Sequence, residues 1–309
     1  MAVDRFPSHT SCHIKGIAVS NVEASQANPS FILTLACLDR PGIVHAVSGF
    51  LLECGANITE AGQFNDSSTN MFFMRVRFDA PAGTALDHLL KKTEDFARPF
   101  AKHWSLHAAA QPLRTLIMVS RIGHCLNDLL FSWRTGHLPI DIRAVVSNHR
   151  DFYQMVAAYN VPFHHISVDP ASKSQAERRL LDLMQEEKID LLVLARYMQV
   201  LSPSLCEAVE GRAINIHHSF LPGFKGARAY HQAHERGVKL IGATAHYVTT
   251  DLDEGPIIEQ GVARINHTMS AEQITALGRD AECSVLNRAV RLHAEHRILL
   301  NCAKTVIFE

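Results

Sequence analysis

A chain of 309 residues, 47% apolar and 20% charged, is long enough for two globular domains. Its net charge of -1 provides no electrostatic footprint for nucleic acid or an anionic membrane surface. No basic segment leads into an apolar core at the start, and no apolar run approaches about 18 residues, so neither secretion nor membrane spanning is expected.

Residues 1–30 read as a polar, irregular extension. The alternating apolar run from Phe31 to Cys37 predicts a strand, and Asp39-Arg40-Pro41-Gly42 punctuates it as a turn. Ile43, Val47, Phe50, Leu51 and Cys54 then fall at helical spacing, with Gly55 as a helix stop. Strands follow over 56–64 and 71–78, a second helix over 85–101 and a last strand over 104–108, giving a βαββαβ order of the ferredoxin-like kind. The segment Leu38-Asp39-Arg40-Pro41-Gly42-Ile43-Val44, with Gly55-Ala56-Asn57-Ile58 after the helix, resembles an ACT domain over residues 31–110. The resemblance implies a regulatory module that pairs with copies of itself, making the protein a homo-oligomer. It also implies an amino-acid effector held by Asp39, Gly42 and Asn57.

Residues 111–114 read as a linker, and after them the pattern changes. Apolar strands at 115–120, 142–147, 163–168 and 190–195 alternate with helical segments at 126–133, 155–158 and 175–187. Such alternation predicts an α/β domain over 115–309, its sheet mostly parallel and covered by helices on both faces. Ligands of these sheets sit at the carboxyl ends of the strands. That rule points to the ends of Asp190–Ala195 and of Ile214-Asn215-Ile216-His217, where Asn215 and His217 share one face of a strand.

An amide, an imidazole and a carboxylate together suit acyl chemistry without a protein nucleophile. Asn215 could donate to a developing oxyanion, His217 could add charge there, and Asp253 could orient the imidazole or take a proton from water. An unperturbed imidazole titrates at about 6.5, so a charged His217 near neutrality calls for Asp253 close by. Singly, each has a structural use: Asn215 as a cap, His217 as a satisfied core histidine, Asp253 as a turn residue. The seven cysteines are odd in number and never in a C-x-x-C pair, which suits reduced thiols in a cytoplasmic protein. Nineteen histidines include the pairs His164-His165, His217-His218 and His231 with His234, none at a spacing tied to zinc, so no metal is expected.

Asn215-Ile216-His217, the Ser219-x-Leu221-Pro222 beside it, and Leu252-Asp253-Glu254-Gly255-Pro256 resemble the formyltetrahydrofolate-dependent formyltransferase fold. The resemblance implies catalytic Asn215, His217 and Asp253, with Asp251 as a neighbouring folate-loop residue. It also implies folate contacts from Met198, Gln199, Val200 and Leu201 and from Val248, Thr249 and Asp251. Gln199 departs from the basic residue of glycinamide ribonucleotide transferases. The stretch Ser120-Arg121-Ile122-Gly123-His124 has one glycine and makes a poor phosphate cradle, which needs closely approaching backbone N–H groups. Water is then the expected acceptor. His124 to Leu130, His217 to Pro222 and Gly226-Ala227-Arg228 are similar to the hydrolytic, deformylase branch of that family. The branch implies hydrolysis of 10-formyltetrahydrofolate to formate and tetrahydrofolate without a cofactor, feeding one-carbon and purine metabolism. The alternative is formyl transfer to an unidentified amine.

Overall fold

The computed structural model describes residues 28–222 and 229–309. Most of the expected extension, and the Gly226-Ala227-Arg228 motif, lie outside the described residues. The chain opens with β1 (Ser30–Leu38), α1 (Ile43–Glu53), β2 (Asn57–Asp66), β3 (Met71–Asp79), α2 (Leu86–Ala97) and β4 (Ala101–Ala108). These strands form an antiparallel sheet in the order β2-β3-β1-β4. Alternate residues of β1 (Phe31, Leu33, Leu35 and Cys37) meet the Ile43, Val47 and Leu51 stripe of α1 in one core. Helix α1 stops where Gly55, at φ 68, lets two backbone bonds close the last turn: Gly55 N–H donates to Leu52 at 2.9 Å and Ala56 N–H to Leu51 at 3.0 Å. Helix α2 ends at Ala97, four residues before the expected end, and β4 begins at Ala101 instead of Trp104. Pro99, two residues past the helix end, has no backbone N–H with which to continue the helical hydrogen bonds.

A larger sheet follows, built from β5 (Leu113–Val119), α3 (His124–Arg134), β6 (Ile140–Ser147), α4 (Tyr153–Ala157), β7 (Phe163–His165), α5 (Lys173–Glu186) and β8 (Leu191–Leu194). It continues with α6 (Pro203–Ala208), β9 (Ala213–His217), α7 (Ala229–Glu235), β10 (Leu240–Tyr247), β11 (Ile257–Arg264) and α8 (Ala271–Ala294). The strand order is β11-β10-β9-β8-β5-β6-β7, with β5 to β9 parallel and β10 and β11 antiparallel. The expected linker is corrected here: Leu113 and Arg114 already pair with Ile140 and Asp141, so the strand starts inside residues 111–114. The two faces of the sheet are sorted by alternation. Ile117, Val193, Ile214 and Ile216 pack toward α3 and α8, whereas Leu116, Met118, Leu192 and Ala213 pack toward α5 and α6.

A closing hairpin of β12 (Ile298–Asn301) and β13 (Lys304–Ile307) leaves the larger sheet and covers the smaller one. Leu299, Val306 and Phe308 form a core with Ala36 and Phe73 on the face of the small sheet away from its helices. Buried Arg75 of β3 donates to the carbonyls of Glu295 and His296 at 3.0 Å each and pairs with Glu60 at 2.8 Å. The two sheets are thereby joined through the end of α8. Among the described residues, no helix is long and apolar enough to cross a membrane.

Candidate active site

Strand β9 places its polar and apolar residues on opposite faces. Ile214 and Ile216 enter the core beneath α3 and α8, which leaves Asn215 and His217 on the other face. Both then meet Asp253. His217 Nδ1 lies 3.1 Å from Asp253 Oδ2, and Asn215 Nδ2 lies 3.5 Å from Asp253 Oδ1. The loop after β10 delivers that carboxylate. Its return is possible because Gly255 has no side chain: a Cβ there would come within 1.8 Å of the Tyr247 carbonyl oxygen. Tyr247 N–H donates to the Pro256 carbonyl at 2.9 Å and closes the loop, with Asp253 itself at φ 57. A non-glycine residue in that region is uncommon and marks a site held by its surroundings.

Burial would raise the Asp253 carboxyl, but the interactions with His217 and His246 outweigh it and hold the group well below the usual carboxylate range. It is therefore an anion at any neutral pH. Asp251 is exposed on the same loop, while its backbone carbonyl accepts from the Thr249 hydroxyl at 3.1 Å. Of the two carboxylates, Asp253 is the one that reaches the imidazole.

His246 belongs to this group and was not singled out from the sequence. It pairs with Asn215 across the antiparallel β9–β10 register, so the two side chains share a face. Its Nδ1–H donates to the Tyr247 carbonyl at 2.8 Å, and Asn215 Nδ2 lies 3.2 Å from its Nε2. These contacts hold the His246 ring and the Asn215 amide in a fixed mutual orientation. Thr244, beside His217 in the same register, bonds to the Ser219 carbonyl at 3.0 Å and accepts from Leu221 N–H at 3.1 Å. The turn after His217 is thus pinned to β10.

A cavity of about 320 Å3 opens over these groups, lined by Asn215, His217, His246 and Asp253 and by two loops. The first loop contributes Met198, Gln199, Val200 and Leu201, and the second Val248, Thr249 and Asp251. The sequence-derived contact residues therefore all face one space. Met198 and Val200 are more than half exposed, as apolar walls of an open pocket would be. Ser120, at the end of β5, ties the first loop down: its hydroxyl accepts from Met198 N–H at 2.9 Å and donates to Asn148 at 2.8 Å.

Behind the cavity lies a charged cluster that sequence reasoning missed. Glu282 of α8 is 1% exposed and accepts from Tyr230 at 2.6 Å, with His124 Nε2 at 2.9 Å and Arg196 Nε at 3.4 Å. Burial, then the charges of Arg196 and His217, push the neighbouring His218 down to about 4, so its ring is neutral. His124 also stands near Cys125 and Cys283, with possible ligand atoms of the three residues within 4.8 Å of one another. Spacing along the chain did not suggest this grouping of potential metal donors. The six described cysteines are free thiols.

Two further expectations meet the structure here. Gly123 faces the Phe152 ring, whose nearest atom would lie 2.4 Å from a Cβ at that position, so the glycine serves ring packing. That use agrees with a poor phosphate cradle. The residues expected to hold an effector do not assemble within one chain. Asp39 and Gly42 follow the end of β1, level with Met71, whereas Asn57 pairs with Asp79 at the opposite end of the sheet. The amide that meets Asp39 is Asn65.

Comparison with known proteins adds a family. The formyl transferase family model matches residues 113–290. The formyltetrahydrofolate deformylase of Corynebacterium sp. (strain P-1) is 48% identical over 277 residues, covering 89% of this chain and 97% of that one. That of Bacillus subtilis (strain 168) is 46% identical over 278 residues, covering 89% and 93%. Among solved structures, the formyltetrahydrofolate deformylase from Burkholderia mallei ATCC 23344 superposes with a TM-score of 0.87 at 48% identity, over 91% of this chain and 100% of that one. Glycinamide ribonucleotide transformylase 1 from Symbiobacterium toebii matches at a TM-score of 0.61 and 30% identity, covering 98% of its own chain but 66% of this one.

Proposed function

The chain belongs to the formyltetrahydrofolate deformylase family, and on that premise we propose that it hydrolyses 10-formyltetrahydrofolate to formate and tetrahydrofolate. The observation that carries this reading is the Asp253 carboxylate, 3.1 Å from His217 and within reach of Asn215, at a cavity with two apolar-edged loops. In the proposed route, water held by Asp253 and His217 adds to the formyl carbon on N10. The oxyanion that forms takes a hydrogen bond from the Asn215 amide and charge from protonated His217. One proton of the water passes by way of the Asp253–His217 pair to N10, the C–N bond breaks, and formate leaves with the second proton passing to solvent. A carboxylate held so far below its usual range is a weak proton store, so Asp253 acts chiefly by orienting His217 and the water. The formyl group is already an activated acyl carbon, and the route uses no metal or redox cofactor.

The loops at 198–201 and 248–251 hold the folate, with apolar Val200 and Leu201 against the ring and main-chain groups reading its edge. The N-terminal module, in this reading, is an ACT domain that pairs two or more copies and takes up an amino acid near Asp39 and Gly42. Its βαββαβ order and the exposed Leu38 and Val44 flanking that turn support the reading. The compartment consistent with free thiols and a folate substrate is the cytoplasm.

The test is to supply 10-formyltetrahydrofolate with water as the only acceptor and to measure formate and tetrahydrofolate together. Equal release of the two is expected. Product formation only after an amine is added would make the protein a transferase.

A further inference from the structure

Arg196 stands two residues past the end of β8, with its backbone at φ 65 and its carbonyl accepting from Ser120 N–H at 3.2 Å. Its side chain is 9% exposed, and Arg196 is among the residues that line the reaction cavity, together with His217 and His218. The only carboxylate paired with it among the described residues is Glu282, and that pairing is poor. Arg196 Nε stands 3.4 Å from Glu282 Oε2 and makes no hydrogen bond among the described residues. Glu282 has better-aligned partners in Tyr230 and His124, at 2.6 and 2.9 Å. The carboxylate is thus served without Arg196, and the arginine keeps its buried Nε–H without a hydrogen bond, in a place where an unmade bond is costly. His218 is neutral, which leaves Arg196 as the fixed positive charge beside it.

We propose that Arg196 is a carboxylate subsite of the reaction cavity, taking up the formate made by hydrolysis and so favouring water over an amine as acceptor. The inference rests on the deformylase reading. In hydrolysis, a water oxygen bonds to the formyl carbon and the C–N10 bond breaks. N10 gains a proton, and the H–C unit leaves with two oxygens as formate, its remaining proton passing to solvent. Transfer to an amine follows the same path but ends in a neutral formamide. Only the hydrolytic branch therefore creates an anion with two equivalent oxygens. A guanidinium matches that shape in a way that a point charge does not. Asn215 and His217 serve the oxyanion common to both branches; Arg196 serves the charge that hydrolysis alone produces.

Sodium formate is the probe. The wild-type protein is first assayed for formate release, then for product inhibition by formate and for broadening of the 13C-formate resonance. Formate should inhibit and broaden, and Arg196→Gln should raise its inhibition constant at least about tenfold, the size expected for a lost charge-assisted bond. The same variant should lower kcat more than it changes KM for the folate. Arg196→Lys should recover part of the formate binding, and Arg196→Gln with Glu282→Gln, which keeps the buried cluster neutral, should behave like the single variant while matching the wild-type thermal midpoint. Formate that fails to bind the wild type, or that binds all variants equally while hydrolysis persists, overturns the subsite. No formate release from the wild type overturns the deformylase reading instead.

Discussion

The carboxyl end of the large sheet and the β1–α1 end of the small one carry their polar residues in different ways. Asn215, His217 and His246 are buried or half-buried, and each is held by at least one other side chain of the group. Asp39 is half-buried at its turn, Gly42 is exposed, and nothing lies within 4 Å of where a Cβ on Gly42 would sit. A transition state is served by dipoles fixed before the reaction begins, which demands burial and multiple partners. An effector site has another requirement, since a ligand changes activity only by binding two states unequally. Rigid geometry suits the first task, and open space at a turn suits the second.

The sharpest way to break this contrast is to damage the fixed end. Asp253→Asn should lower turnover by roughly 100-fold or more, the range of general acid–base and orienting groups, while folate binding remains measurable. Asp251→Asn, on the same loop but away from His217, should be mild. A crippling Asp251→Asn beside a mild Asp253→Asn would reverse the assignment made from the 3.1 Å contact. Asn215→Ala should cost about 3 kcal/mol in kcat with little change in folate affinity, because an oxyanion donor acts mainly in the transition state. Weakened binding at an unchanged rate would make Asn215 a substrate-positioning residue.

Between the two ends lies the seam formed by α8 and Arg75, and it should be acid-sensitive. Burial first, then the charges of His107, His293 and Arg75, push His296 down to about 3; burial first, then His107, pushes His293 down to about 4. Both rings are neutral in the native state and gain protons in the unfolded chain below about 6.5. The unfolded state therefore binds more protons as pH falls, and stability is lost from about 6.5 downward until the native values are reached. At pH 5 each group should cost about 2 kcal/mol, read as a falling thermal midpoint between pH 7 and 5. His296→Phe should flatten that fall. An unchanged pH dependence in this variant would place the acid sensitivity elsewhere.

Much of the large sheet was legible because its polar residues interrupt apolar strands. Asn215 and His217 alternate with isoleucines, and Asp253 sits in a loop closed by Gly255 and Pro256. His246 interrupts β10 in the same manner, but its role depends on pairing with a residue 31 positions away, and register is not written in one strand. Glu282 left a trace too. It stands between Gly278 and Leu286 on the buried stripe of α8, an acidic residue where helical spacing calls for an apolar one. Asn57 stands apart from the Asp39 turn of its own chain for a topological reason. In a βαββαβ unit β1 and β2 run parallel on either side of β3, so the start of β2 lies level with the start of β1 and not with the turn that ends it.

That separation bears on the smallest expected effect, the response to an amino acid. With Asn57 at the far end, the polar pair available within one chain is Asp39 and Asn65. Gly42 cannot be tested cleanly by enlarging it, because its φ of 92 would strain any side chain whether or not a ligand is nearby. Asp39→Ala is the better variant, since it removes the carboxylate proposed to face the ligand, at a turn with no buried partner to orphan. Coupling between distinct sites is typically about 1–3 kcal/mol, and the seam at Arg75 is the contact through which assembly of the small sheet could bias α8 and Glu282. Screening the twenty amino acids by rate and by thermal shift should find at least one that moves both, with Asp39→Ala blunting the rate response while leaving the basal rate intact. If none moves either quantity, the small sheet serves assembly or stability alone, and its open turn is a turn.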